Sequence, residues 1–202
     1  MKMIVITGGQ GDIAKAIKNE LMQEFEILTP GKEELDVTNI ENVSKYFDEH
    51  IPDVLINNAG YVKPMPISEC DIYSEKKAVD INLFGTFNCT SAVLRKNNDA
   101  KIINVGSSAA TKVHGTWSSY CASKAGVVMA TKCWAEDGYD VTCISPGRTQ
   151  TKMRKGLFPD EDTETLLKPE DFAKVIRRAV EGKYDSGTHL NVTKDNVKEL
   201  LK

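Results

Sequence analysis

Tyr120 and Lys124 lie four residues apart in the run Ser119-Tyr120-Cys121-Ala122-Ser123-Lys124. On a helix that spacing puts both side chains on one face, with Cβ atoms about 5–6 Å apart. A free phenol, with a pKa of about 10, exchanges protons poorly at neutral pH. A fixed ammonium beside it favours the phenolate and lowers that pKa, which suits the pair to acid–base catalysis. The same spacing occurs by chance in many helices, so other parts of the chain must support the chemistry.

A second constellation is Thr7-Gly8-Gly9-Gln10-Gly11-Asp12-Ile13-Ala14, after a first apolar run and before a helical pattern. Its glycines let the backbone turn tightly and approach a pyrophosphate. The pyrophosphate would rest on the helix N-terminus, where free N–H groups and the dipole favour anions. Dinucleotide folds often place an acid at the tip of the second strand to hold a ribose hydroxyl. Here that tip reads Leu28-Thr29-Pro30-Gly31-Lys32, with no carboxylate. Lys32 is placed to meet a 2′-phosphate instead, which favours NADP(H) over NAD(H). Asp36 and Val37, just beyond, would bracket an adenine. In Asn57-Asn58-Ala59-Gly60 the small residues would let a cofactor pass over a strand tip, while asparagine side chains tie neighbouring strands together.

The elements that must position these groups alternate in a parallel βαβ pattern. Strands are expected over 3–7, 26–29, 54–57, 101–105, 141–144 and 188–192. Helices are expected over 13–24, 40–50, 74–96, 119–135 and 169–181. With no repeat, low-complexity stretch or linker, the chain reads as one α/β domain, 1–202. Right-handed crossovers then give a doubly wound parallel sheet with ligands at the carboxyl ends of its strands.

The 202 residues are 41% hydrophobic and 27% charged, the balance of a globular domain with a substantial core. A net charge of -3 argues against nucleic acid as the main partner and for a small molecule. The N-terminal apolar run is too short for a signal peptide, and no run reaches the roughly 20 residues that span a bilayer. The five cysteines form no C-x-x-C pair, so reduced thiols and a cytoplasmic setting are the simplest expectation. The three histidines are scattered, and no metal site is expected.

The order of motifs resembles the short-chain dehydrogenase/reductase family: a glycine-rich turn after Thr7, Asp36-Val37, Asn57-Asn58-Ala59-Gly60, Asn82, Ser107, Tyr120 with Lys124, and Pro146-Gly147. It covers about residues 3–151 and extends to the terminal strand. The resemblance implies a Rossmann fold and an NAD(P)-dependent oxidoreductase acting on a small carbonyl or alcohol. Tyr120 matches the proton donor to the substrate carbonyl, or the base in reverse. Lys124 matches the residue that lowers the tyrosine pKa and holds the nicotinamide ribose. Ser107 matches the serine that hydrogen-bonds the substrate oxygen, with Ser108 less well spaced. Asn82 matches an asparagine that fixes a water passing protons to the lysine. Pro146, Gly147 and Thr151 match the segment that orients the nicotinamide.

Some features depart from that pattern. Asp12 and Ala14 stand where the common turn has glycines, and the spacing Gly8, Gly11, Ala14 is nearer the family's extended branch. The chain is shorter than ordinary members, with no length for a separate substrate domain. A homodimer is expected rather than a tetramer, through the helices over 74–96 and 119–135. A substrate lid is expected over about 148–168. Its four cations (Arg148, Lys152, Arg154, Lys155) would favour an acidic substrate or a cofactor phosphate, unless Pro159-Asp160-Glu161-Asp162 balances them. A short lid also implies an open site with loose selection. Two alternatives stay open: a cofactor-binding sensor or scaffold without catalysis, and a nucleotide-sugar modifying enzyme.

Overall fold

The computed structural model describes residues 1–202 as six strands and eight α-helices in chain order. They are β1 (Met3–Ile6), α1 (Asp12–Leu21), β2 (Glu26–Leu28), α2 (Ile40–Glu49), β3 (Val54–Asn57), α3 (Ile72–Val79), α4 (Gly85–Leu94), β4 (Lys101–Val105), α5 (Ser118–Glu136), β5 (Val141–Pro146), α6 (Lys152–Leu157), α7 (Pro169–Val180), β6 (His189–Val192) and α8 (Val197–Leu200). All strands run parallel in the order β2-β1-β3-β4-β5-β6. The order reverses between β1 and β3, the point where doubly wound sheets open a crevice for ligands.

Helices on both faces of a parallel sheet make its strands near-continuous apolar runs. Ile4, Ile6, Ile56, Ile103 and Ile144 face one layer, where they join Ile17 and Leu21 of α1 and Phe172, Val175 and Ile176 of α7. Val5, Leu55, Ile102 and Val141 face the other, against Val43 and Phe47 of α2 and Cys89 and Val93 of α4. Arg177 fastens α7 to α1 through Glu20 and Glu24, with Nε–Oε1 and Nη1–Oε1 distances of 2.8 and 2.7 Å.

The six expected strands are present, with ends moved by a residue or two. The helix expected over 74–96 differs in kind. It begins at Ile72, where the Asp71 carboxylate caps it by accepting from the Tyr73 N–H at 3.1 Å, and it is interrupted by a π-helical segment, Asp80–Phe84, between α3 and α4. The asparagines after β3 do tie strands together. Asn57 donates to the Asn104 side chain of β4 at 2.9 Å and to Thr90 at 3.0 Å. Asn58 donates to the Thr7 carbonyl at 3.0 Å.

Candidate active site

The carboxyl ends of β1, β3, β4 and β5 open onto a cleft of about 410 Å³. Gly8, at φ +66°, sits in the left-handed region, and a Cβ there would lie 2.8 Å from the Ala59 Cα. A side chain at Gly9 would overlap the Thr29 carbonyl. Only glycine therefore allows the turn to lie this close to its neighbours. Gly11 is the N-cap of α1 and makes no side-chain bond, which leaves the first-turn N–H groups facing the cleft. A narrow backbone cradle, a helix N-terminus and an apolar trough lined by Leu35, Val37, Ala59 and Ile81 together fit a dinucleotide.

Most of the expected cofactor residues line this cleft: Gly8, Gln10, Gly11, Asp12, Ile13, Lys32, Asp36, Val37, Asn58, Ala59, Gly60, Tyr120, Lys124, Pro146 and Thr151. Three do not. The buried Thr7 hydroxyl accepts from the Asn58 and Ala59 N–H groups, both at 3.0 Å, and so holds the turn rather than a ligand. Gly9 packs on Thr29, and Gly147 faces a neighbouring cavity. Ile81, Val105, Gly106, Lys152 and Met153 also line the cleft. Ile81, Gly106 and Met153 adjoin residues already singled out, Val105 lies two before Ser107, and Lys152 was named among the four cations.

Asp12 does not cap its own helix. Its carboxylate accepts from the Lys152 N–H at 2.6 Å, which spends the charge on the start of α6 and ties that helix to the glycine turn. Lys32 stands at the cleft's far end, largely exposed and 3.8 Å from the Asp36 carboxylate. The Asp36 carboxylate accepts from the Thr38 N–H at 3.0 Å and hydroxyl at 2.7 Å.

At the other end of the cleft α5 presents Tyr120 in its first turn and Lys124 one turn later, as the spacing requires. The buried Lys124 ammonium donates to the Val105 carbonyl at 2.8 Å, at the tip of β4. Burial draws its pKa down to about 8. Burial pushes the Tyr120 phenol above its ordinary value, and a hydrogen bond with Ser107 pulls it partly back. The lowering of Tyr120 by Lys124 expected from the sequence is not seen here: burial raises the phenol, and the lysine's hydrogen bond goes to a backbone carbonyl. Ser107 follows β4 and caps a short turn, Ser108–Ala110, its hydroxyl oxygen accepting from the Ala109 N–H at 3.2 Å.

Asn82 lies in the π segment, fully buried. Its Oδ1 accepts from the Tyr61 N–H at 2.8 Å, and its Nδ2 donates to the Tyr61 carbonyl at 2.9 Å and to Ser123 Oγ at 3.1 Å. The side-chain amide is committed to these partners, so any proton-passing role falls to other atoms of the residue. Ser123 is the neighbour of Lys124, which makes Asn82 a clamp between the loop after β3 and α5.

The segment expected as a lid carries α6 and closes on itself through Thr149 and Leu167, with Gln150 N–H to Leu167 O at 2.9 Å and Leu167 N–H to Arg148 O at 2.8 Å. Beneath it, beside Ser107 and Tyr120, lies a second cavity of about 170 Å³. At this cavity Phe158, the residue after α6, lies nearly parallel to Trp117, with ring centroids 6.2 Å apart. Trp117 went unnoticed in the sequence, although its i−3 spacing from Tyr120 would have placed it one turn before the phenol.

A parallel sheet with a glycine cradle at its reversal point, and a tyrosine and lysine across the same cleft, defines a doubly wound α/β protein of the Rossmann type. A family model described as short chain dehydrogenase matches residues 32–162. The chain belongs to that family of oxidoreductases. It is 32% identical over 190 residues to a 3-oxoacyl-acyl-carrier-protein reductase of Thermotoga maritima, covering 82% of this chain and 76% of that protein. A benzil reductase of Bacillus cereus is 27% identical over 90% of this chain and 94% of its own. Among solved structures, ElxO with NADP bound superposes with a TM-score of 0.85 at 23% identity, covering 95% of this chain and 97% of that one. An aldohexose dehydrogenase of Thermoplasma acidophilum superposes at 0.83 and 23% identity, covering 95% and 92%. No helix is long and apolar enough to cross a membrane.

Proposed function

We propose that the protein reduces a small carbonyl compound to an alcohol, with a nicotinamide dinucleotide in the 410 Å³ cleft and Tyr120 as proton donor. The observation that carries this reading is Tyr120 and Lys124 at one end of the glycine-cradled cleft, with Ser107 hydrogen-bonded to Tyr120 from the adjoining 170 Å³ cavity. The reduced nicotinamide supplies the hydride; the protein manages position and one proton. Ser107 and Tyr120 donate to the substrate oxygen as negative charge develops on it. The carbonyl carbon gains a C–H bond, the oxygen takes the Tyr120 proton, and the phenolate left behind is reprotonated from solvent by way of the Lys124 side. A phenol held above its ordinary pKa stays protonated through the neutral range, as a donor must. Lys124 would hold the ribose, and Thr151 with Pro146 and Gly147 the nicotinamide.

Lys32 at the cleft rim and the absence of an acid at the β2 tip support NADP(H) over NAD(H). The relatives' names, a 3-oxoacyl-acyl-carrier-protein reductase and a benzil reductase, support a carbonyl substrate. Five unpaired cysteines support a cytoplasmic setting, and exposed Phe84, Phe87 and Met129 on the π segment, α4 and α5 support a homodimer. The test is a calorimetric titration with NADPH and, separately, NADH, followed by turnover with small ketones and aldehydes. Tighter NADPH binding with turnover is expected. Binding without turnover of any carbonyl would favour the sensor or scaffold reading.

A further inference from the structure

Resting on the reading of Ser107 and Tyr120 as the carbonyl site, the 170 Å³ cavity beside them defines what else the substrate carries. Part of its wall is aromatic, made by Trp117, Tyr120, Phe158 and His114. Trp117 and Phe158 lie nearly parallel, with centroids 6.2 Å apart and planes at 20°. Trp117 also meets the Tyr120 ring edge-on, at 5.5 Å and 81°. His114 lies against Trp117 on the opposite flank, at 5.4 Å. Met153 and Leu157 of the α6 segment add apolar surface.

The backbone leading into Trp117 is unusual. Thr116, directly before it, is the one non-glycine residue with positive φ, at 68°. A β-branched residue rarely adopts that conformation, and strain of this kind collects at functional sites. The Thr116 carbonyl accepts from the Met65 N–H at 2.8 Å, which pins the loop to the segment after β3.

Both lid arginines that line this cavity are already ion-paired, with one carboxylate. Glu161 takes both arginines that line it, Arg154 through Nε at 2.5 Å and Nη2 at 2.7 Å, and Arg148 through Nη1 at 3.2 Å. The Arg154 guanidinium also lies over the Phe158 ring, 4.6 Å from its centroid. Lys152 and Lys155 line other cavities, Lys152 on the dinucleotide cleft. Of the two outcomes the sequence left open, the two arginines meet the acidic run, through Glu161. A carboxylate entering here would compete with Glu161 for the two arginines, and would lose hydration to the aromatic faces.

We infer that the substrate is a small, neutral carbonyl compound bearing a planar apolar group, in the simplest case an aryl ketone, whose ring packs against Trp117 and Phe158. The size agrees, since a dry apolar cavity of about 150 Å³ holds one benzene ring. Aromatic packing of this kind also selects planar over branched groups.

The test compares three carbonyl compounds with the full chain and NADPH: 1-phenyl-1,2-propanedione, 2,3-butanedione, and phenylglyoxylate, which keeps the ring but carries a carboxylate. The phenyl diketone is expected to exceed each of the others in kcat/KM by about tenfold or more, the effect of one packed ring or one unpaired charge. Phe158→Ala should raise the ratio of KM for the phenyl diketone over that for butanedione by about fivefold or more. Preference for butanedione or phenylglyoxylate would overturn the inference while leaving carbonyl reduction intact. An unchanged KM ratio in Phe158→Ala would likewise overturn it. NADPH binding with no turnover of any of the three would overturn the carbonyl-reduction reading, and the inference with it.

Discussion

Lys124 shows how one residue's environment sets its chemistry. Its type and spacing from Tyr120 were legible in the sequence, and both residues fall on the cleft as expected. Its effect on the tyrosine was not legible, because that depends on burial and on where the ammonium points. The ammonium donates to the Val105 carbonyl, and burial brings its pKa to about 8. The sign of the pH dependence follows. Below about pH 8 the lysine carries its charge and, in its proposed role, would hold the ribose; as pH rises through that value the charge is lost. The kcat/KM for carbonyl reduction should therefore fall with a limb near pH 8, while the Tyr120 phenol, shifted upward, still holds its proton. In Lys124→Arg the guanidinium stays charged, so the limb should vanish from the pH–rate profile even as the overall rate drops. A limb at the same pH in the arginine variant would assign it to another group. Asp12 teaches the converse lesson. A carboxylate in a phosphate-binding turn looks adverse in sequence, and only the fold shows that it is spent on the Lys152 N–H, 140 positions away.

At the scale of elements, the strands were the easiest to read. Buried on both faces, they form short apolar runs between turns, and tertiary context only trims their ends. The π segment was invisible, because an i→i+5 turn has no sequence period of its own. It exists where a side chain holds a helix in an unusual register, here Asn82 bridging Tyr61 and Ser123, with Thr86 donating to the Asn82 carbonyl at 2.9 Å. Asn82→Ala strands the Tyr61 N–H, the Tyr61 carbonyl and the Ser123 hydroxyl without that partner. The expected loss is about 2–3 kcal/mol, seen as a fall in Tm of roughly 4–10 °C. Calorimetry of the variant checks this, and an unchanged Tm would mean that the clamp adds nothing to stability. The lid could be placed in sequence but not shaped. Arginines and glutamates in one short stretch look the same whether solvated or paired, and only the fold brings Arg148 and Arg154 to Glu161.

For the whole molecule, the cleft belongs to no single element. β1, β3, β4 and β5 supply its floor, and the starts of α1, α5 and α6 its walls. A ligand there bridges parts of the chain that only folding brings together, so it should stabilise the native state by mass action. At about one hundred times its Kd, NADPH should add about 2.7 kcal/mol. For a chain of this size that is a rise in Tm of roughly 5–11 °C, which differential scanning calorimetry would record. No rise with either dinucleotide would contradict the assignment of the cleft.

The central claim is that Tyr120 gives its proton to the substrate while taking little part in holding the dinucleotide. Tyr120→Phe keeps the ring and its packing against Trp117 but removes the hydroxyl. The decisive measurement sets the carbonyl-reduction rate of this variant beside its affinity for NADPH. The rate should fall by about 10²–10⁴-fold, the usual contribution of a positioned proton donor, with the Kd changed by less than about twofold. A variant that turns over at close to the native rate would contradict the account.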